Sequence, residues 1–396
     1  METQVAPPSA KSTRLPGLDL LRAVAISWVM AYHASSFGLI SRDHWIAKFG
    51  WMGVDLFFVL SGFLIAGQLL RPWAHGKSPN YPRFFARRLL RTLPAYLVVV
   101  ALCFLVPAVR ERPAIQPLWQ FLTFTQNFGY VPDPPKALSH AWSLCVEEQF
   151  YIIFPAIVAI LAIRPRPTKV VGVFIAVLIV GIVSRGYFWL ADVARQPFNA
   201  AAHPHFGHYM TLIYYPTWAR LDGLSAGVGA AAIQTFRPVW WRVLTTRANI
   251  LAIAGVAGVV ASAIFFQDMF AKFLPAVFGF PLLASSMALL VVAGSDSRSF
   301  IGRYSIPGAG ALAAGAYSLY LSHKMVFHAV QSSAPGWPQP LQAISLGVGV
   351  LAALGVGALL YWLVERPFLK LRDRLHERSS VAPTVEPTAS TPLAIR

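Results

Sequence analysis

Apolar runs long enough to cross a bilayer recur along the chain, separated by polar stretches in which Arg, Lys, Pro and Gly gather. A hydrocarbon core about 30 Å thick takes about 20 residues of helix. Runs of that length lie near residues 18–37, 53–70, 93–109, 145–163, 169–190, 212–235, 249–266, 274–293, 309–330 and 341–363. The pattern predicts an all-α fold, a multi-pass integral membrane bundle of about ten transmembrane helices. Lys and Arg favour alternate connections, most densely at Arg71, Lys77, Arg83, Arg87, Arg88 and Arg91, between the second and third runs. Because cytoplasmic loops carry the basic excess, this alternation puts the N-terminus in the cytoplasm, and an even number of spans returns the C-terminus to the same side.

Composition supports lipid as the solvent. Hydrophobic residues make up 56% of the 396 residues and charged ones 12%, where a soluble domain carries roughly 25% charged. The net charge of +17 would suit a nucleic-acid partner, but basic loops of a polytopic protein account for it, and no basic surface interleaved with exposed aromatics remains. Nucleic acid is therefore excluded as a partner. Residues 1–16 are expected to form a disordered tail, residues 17–374 the transmembrane domain, and residues 375–396, rich in Pro, Ser and Thr, a disordered cytoplasmic tail. The first apolar run is as long as a span and is expected to stay as an anchor, with no cleaved signal. In the longest outward connection, 110–144, the Pro-rich stretch 131–135 rules out one uninterrupted helix, and the apolar piece Leu118–Phe128 is expected to fold back onto the bundle. Cys103 and Cys145 read as small apolar fillers. No metal-ligand spacing or phosphate-binding glycine loop occurs, so no metal site and no nucleotide hydrolysis are expected.

Ionisable residues inside apolar runs are functional candidates by default. Arg22 and His33 share the first run. At their spacing both lie on one helix face, with Cα atoms roughly 16 Å apart. Asp55 opens the second run within Gly53–Phe63, at a depth similar to His33, where it either orients that imidazole or caps the helix start. His140, Trp142, Ser143 and Glu147 stand at the mouth of the fourth run. Glu147 and Glu148 point about 100° apart on a helix, so one can face the bundle. The competing account is an acidic first helical turn with Trp142 and Tyr151 in an interfacial aromatic belt. Arg87, Arg88 and Arg91 form a basic cluster in which Arg87 and Arg91, one turn apart, can present guanidinium forks to a phosphate, or simply fix topology and meet anionic lipid. Arg220 and Asp222, and Lys324 beside His323, read first as charges neutralised by neighbouring helices.

Taken together these segments resemble the bacterial acyltransferase family 3, multi-pass enzymes that O-acylate polysaccharides, lipid-linked glycans, nodulation factors and macrolides. The resemblance rests on Arg22 with His33, on the stretch Gly53 to Ile65, on His140 to Tyr151, and on the basic run ending at Tyr96. It extends through Arg220 to Gly223, Tyr317 to His323 and Glu365 to Phe368. It implies an acyl-coenzyme A donor, with acetyl the favoured group, no permanently bound cofactor, and a hydroxyl-bearing glycan, glycolipid or metabolite as acceptor, at the bacterial inner membrane. The CoA phosphates would then meet Arg87, Arg88, Arg91 and Arg22. Transfer to a hydroxyl needs a base near neutrality, and His33 is the candidate, with Asp55 or Glu147 as its acidic partner. Ser61, Ser143, Trp142 or a backbone amide would supply oxyanion donors. Phe57, Phe58 and Phe63 line an acyl slot or pack against lipid and core. The rival classes are a transporter or flippase using Arg22, His33 and Asp55 as a relay, and a structural subunit. No internal repeat supports transport.

Overall fold

The computed structural model describes residues 15–163, 167–196, 204–333 and 339–380. The chain runs through α1 (Pro16–Ser36), α2 (Trp45–Lys48), α3 (Met52–Ala74), α4 (Tyr81–Leu105), α5 (Leu118–Leu122), α6 (Trp142–Ile163), α7 (Pro167–Ala191) and α8 (Pro204–Tyr209). It continues with α9 (Asp222–Phe236), α10 (Pro238–Thr246), α11 (Ala248–Phe265), α12 (Phe273–Gly294), α13 (Phe300–Arg303), α14 (Ala309–Ser333), α15 (Gln339–Leu360) and α16 (Arg366–Ser380). Among the described residues there is no strand, only one isolated bridge between Ala114 and Lys136.

Seven helical segments among the described residues are long and apolar enough to cross a membrane. Two further expected spans, 18–37 and 309–330, are the continuous helices α1 and α14, whose apolar character is diluted by Asp19, Arg22 and His33 and by Ser318, Ser322, His323 and Lys324. The expected span 212–235 is not one helix. Met210–Tyr214 is a π turn, Pro216 is extended, Thr217–Ala219 is a 3-10 turn, and α9 begins only at Asp222. The proline ring has no N–H to continue a helix and restrains the residue before it, so the run breaks there and delivers Arg220 and Asp222 to the bundle centre.

α3 is buried along most of its length, packed by α1, α9 and α12. Glycines bring its backbone onto α9: a Cβ at Gly62 would sit 2.2 Å from the Leu224 carbonyl oxygen, and one at Gly227 would sit 2.2 Å from that of Val59. Any larger side chain forces these helices apart. Opposite this centre, α7, α11 and α15 turn Ile175, Ile179, Val183, Ile250, Ile253, Val260, Val348 and Leu351 outward, as a bilayer solvent permits. The piece near Leu118 does fold back: Phe121 is fully buried, the Tyr96 hydroxyl donates to its carbonyl at 3.0 Å, and the Asn127 amide donates to Thr217 Oγ1 at 2.8 Å. At the C-terminal end α16 continues to Ser380, past the boundary expected at residue 374, because Phe368, Leu371 and Leu375 recur at helical spacing. The tails expected over most of 1–16 and 381–396 lie outside the described residues.

Candidate active site

Two polar arrays lie along α1, one toward each end. Near its start, a cavity of about 270 Å³ is lined by the guanidiniums of Arg22, Arg87, Arg88, Arg91 and Arg372. The register of α4 follows from its cap, since Asn80 Oδ1 accepts from the Arg83 N–H at 2.9 Å. That register turns Arg87, Arg88 and Arg91 to the same chamber as Arg22. Among the described lining residues the one carboxylate is Glu147. It accepts from the Tyr151 hydroxyl at 3.1 Å, Tyr151 is 2.6 Å from Ser61 Oγ, and the Arg88 guanidinium lies over the Tyr151 ring at 5.5 Å. Glu147 therefore belongs to the cationic chamber rather than to an imidazole. Asp19 lies 3.7 Å from Arg22 and Asp373 lies 2.8 Å from Arg372, so the chamber's positive excess rests chiefly on Arg87, Arg88 and Arg91, and it favours a polyanion. Phe57 and Phe58 line the same chamber, whereas Phe63 stacks on Trp241 outside it.

The second array is a histidine trio at the far end of α1. His33 Nδ1 lies 2.7 Å from His323 Nε2, and His323 Nδ1 lies 2.9 Å from the Leu319 carbonyl oxygen. A carbonyl only accepts, so His323 Nδ1 carries the proton and its Nε2 is the acceptor. His33 Nδ1–H must then donate, which leaves the lone pair of the neutral His33 on Nε2. The ring of His140 packs edge-on against both others at 5.9 and 5.3 Å, and neither of its nitrogens has a hydrogen-bond partner among the described residues. The turn that carries His140 is clamped onto α14: Lys324 Nζ reaches Glu111 Oε1 at 3.1 Å and Ser139 Oγ at 2.7 Å, and Glu111 also accepts from the Leu138 N–H at 2.8 Å. Lys324 thus holds His140 in place. Tyr320 stands between the arrays. It lines the cationic chamber, its ring packs against His140 and His323, and its hydroxyl donates to the His140 carbonyl at 2.7 Å while lying 2.6 Å from Ser143 Oγ.

Asp55 is elsewhere. Its Oδ1 accepts from Arg220 at 2.8 Å, and the buried Arg220 guanidinium lies 4.1 Å over Phe280, 4.5 Å over Tyr214 and 5.1 Å over Trp142. Arg185 pairs with both oxygens of Asp222 at 2.7 and 3.1 Å. The partnership expected between Asp55 and His33 is replaced by this ion pair, because the break at Pro216 leaves a buried guanidinium that needs a carboxylate more than a neutral imidazole does. Trp142 serves Arg220 as an aromatic platform. The structure brings together Arg22, Arg87, Arg88, Arg91, Ser61, Ser143 and Glu147, and separately His33, His140 and Lys324, but it sets Asp55, Arg220 and Asp222 apart from both. Sequence reading did not single out Arg185, Glu111 or Arg372, and it took Tyr151 only as part of an aromatic belt and of the stretch from His140, and Tyr320 only as part of the stretch from Tyr317 to His323. For Arg185 a signal existed: a cation deep in the run 169–190 requires a carboxylate on a neighbour.

The family profile of acyltransferase family 3, described as an acyltransferase domain, matches residues 15–362. The chain belongs to acyltransferase family 3. The O-acetyltransferase OatA of Staphylococcus aureus (strain NCTC 8325 / PS 47) is 32% identical over 204 residues, covering 47% of this chain and 32% of the relative. The peptidoglycan O-acetyltransferase OatA of Listeria monocytogenes serovar 1/2a is 26% identical over 329 residues, 78% of this chain and 49% of the relative. A putative O-acetyltransferase, SACOL0978 of S. aureus (strain COL), is 27% identical over 238 residues, 55% of this chain and 34% of the relative. The chain spans half or less of the length of these curated relatives. No solved structure matches. Membership in this family and the apolar helices together mark a bacterial membrane protein.

Proposed function

We propose that this acyltransferase family 3 member moves an acetyl group from acetyl-CoA to a hydroxyl of a cell-envelope glycan, with His33 as general base, at the bacterial cytoplasmic membrane. The observation that carries the reading is the chain from Leu319 through His323 to His33, which leaves a lone pair on His33 Nε2. On this reading α1, the segment from Met210 to α9, and α14 complete ten spans with both termini cytoplasmic, and the cationic chamber opens to the cytosol. Arg22, Arg87, Arg88 and Arg91 hold the CoA phosphates, and the pantetheine arm runs along α1 toward the histidines. Tyr320, which lines the chamber and packs on His140 and His323, stands between the two.

In the transition state His33 Nε2 takes the acceptor's hydroxyl proton as the oxygen attacks the thioester carbonyl. His33 Nδ1–H keeps its bond to His323, which holds the ring through both protonation states. Ser143 and Tyr320, at the deep end of the chamber, are the hydroxyls nearest to where the oxyanion forms. Collapse expels the CoA thiolate, which recovers the proton from the imidazolium. The relatives' names favour a polysaccharide such as peptidoglycan as acceptor. Purified protein in vesicles, given acetyl-CoA on the chamber side, should release free CoA in step with acetylation of a glycan fragment. Release with no acetylated product, or none at all with any glycan fragment, would overturn the reading.

A further inference from the structure

The cationic chamber is long as well as charged. Its lining on α3 runs from Val54 to Gln68, a helical stretch of about 21 Å, so its volume of about 270 Å³ gives room for one extended chain. Midway, Ser61 meets the Tyr151 hydroxyl at 2.6 Å, and the Arg88 guanidinium lies over that tyrosine ring at 5.5 Å. At the far end Phe57 faces Tyr320, with ring centroids 6.5 Å apart, and the Tyr320 hydroxyl is held 2.6 Å from Ser143 Oγ and 2.7 Å from the His140 carbonyl oxygen. This end is closed. Next to Val54, a Cβ at Gly53 would come 2.6 Å from the Ala25 carbonyl oxygen and 2.9 Å from Val29 Cγ2, so α3 is pressed onto α1 there. Phe58 is fixed too: it is buried edge-on against Trp142, ring centroids 6.0 Å apart, and a Cβ at Gly223 would lie 2.9 Å from its own. Phe57 is only partly buried, and among the described residues Tyr320 is the one ring it meets. It is therefore the wall of the closed end that a substitution can move without displacing a neighbouring helix.

We infer that Phe57 sets the length of acyl group the chamber admits, its ring standing where the third and later carbons of an acyl thioester would go. The inference rests on the proposed CoA donor and deepens it by naming what restricts that donor to acetyl. With the thioester carbonyl beside Ser143 and Tyr320, the chain beyond it points at Phe57 and Val54, and the closed end offers it no other course. One methylene too many in an apolar pocket separates ligands by about 10–200-fold. The test needs no acceptor. Affinities of CoA, acetyl-CoA, propionyl-CoA and butyryl-CoA are measured on the full-length protein in neutral detergent, for wild type, Phe57→Ala and Phe57→Leu. Wild type should bind acetyl-CoA best of the three thioesters and propionyl-CoA about tenfold or more weaker. Phe57→Ala should bring propionyl-CoA and butyryl-CoA to the affinity of acetyl-CoA or above it, with CoA itself unchanged. Phe57→Leu, which keeps an apolar side chain on α3, should admit propionyl-CoA but not butyryl-CoA, and it carries the test if the alanine variant does not accumulate. A wild type that binds all three thioesters alike overturns the inference while the donor stands. So do variants that keep the wild-type order, or that weaken every ligand equally with CoA included, as a merely structural role would. A wild type that binds none of the four overturns the donor reading as well.

Discussion

Replacing Asp55 by Leu isolates what the buried Asp55–Arg220 pair contributes. Both side chains are nearly water-free, 4% and 1% exposed, and meet at 2.8 Å. Removing the carboxylate leaves a guanidinium with aromatic faces around it but no counter-charge. Breaking a buried pair in this way costs about 3–5 kcal/mol, a large part of a total stability of about 5–15 kcal/mol. The three rings over Arg220 offset only part of it, at about 1–2 kcal/mol for a desolvated cation on a ring face. Replacing both partners, Asp55→Leu with Arg220→Met, removes charge and counter-charge together and should recover most of the loss. The assay is thermal unfolding in detergent by tryptophan fluorescence, with Trp142 beside the pair as reporter, followed by CoA release. The single variant should unfold well below wild type, the double variant close to it and with measurable transfer. An unchanged midpoint in Asp55→Leu would refute the structural assignment. A double variant that folds like wild type yet transfers nothing would return Asp55 to the chemistry.

Gly227→Val places its Cβ 2.2 Å from the Val59 carbonyl oxygen and 2.6 Å from the Phe63 nitrogen. Since backbone cannot yield as a flexible side chain does, the variant should lose more than about 3 kcal/mol and fail to accumulate in membranes. Gly347→Ala, where a Cβ meets nothing within 4 Å, is the control and should leave the unfolding midpoint unchanged or higher. Lys324→Met leaves the fully buried Glu111 uncompensated and should cost about 3–5 kcal/mol, while pairing it with Glu111→Gln should recover part of the midpoint; equal midpoints for the two would argue against the clamp.

The helices and their polar interruptions were legible because a membrane span is a long apolar run and each ionisable residue within one stands out, as Arg22, His33, Arg220 and Lys324 do. Chain position along a run also gives depth, which placed Arg22 and His33 toward opposite ends of α1. What depth does not give is the neighbour across the bundle. Asp55 and His33 were expected at a similar depth, yet Gly53, just before Asp55, packs on Ala25 and Val29, well short of His33, and Asp55 faces Arg220, a choice made by the packing of α3 on α9 through Gly62 and Gly227. The break at Pro216 was readable from the proline itself, but the apolar residues on either side hid it. Glu111 sits between Arg110 and Arg112 and Arg372 among the charges of 366–378, so each looked like solvated surface until the fold turned it inward.

On the proposed mechanism His33 Nε2 removes the proton from the acceptor hydroxyl. The most direct measurement is single-turnover transfer by His33→Gln, with donor affinity determined on the same preparation. Loss of a general base should slow transfer by about 10²–10⁴-fold with acetyl-CoA binding unchanged. Wild-type transfer rates in that variant, at normal donor affinity, would contradict the account.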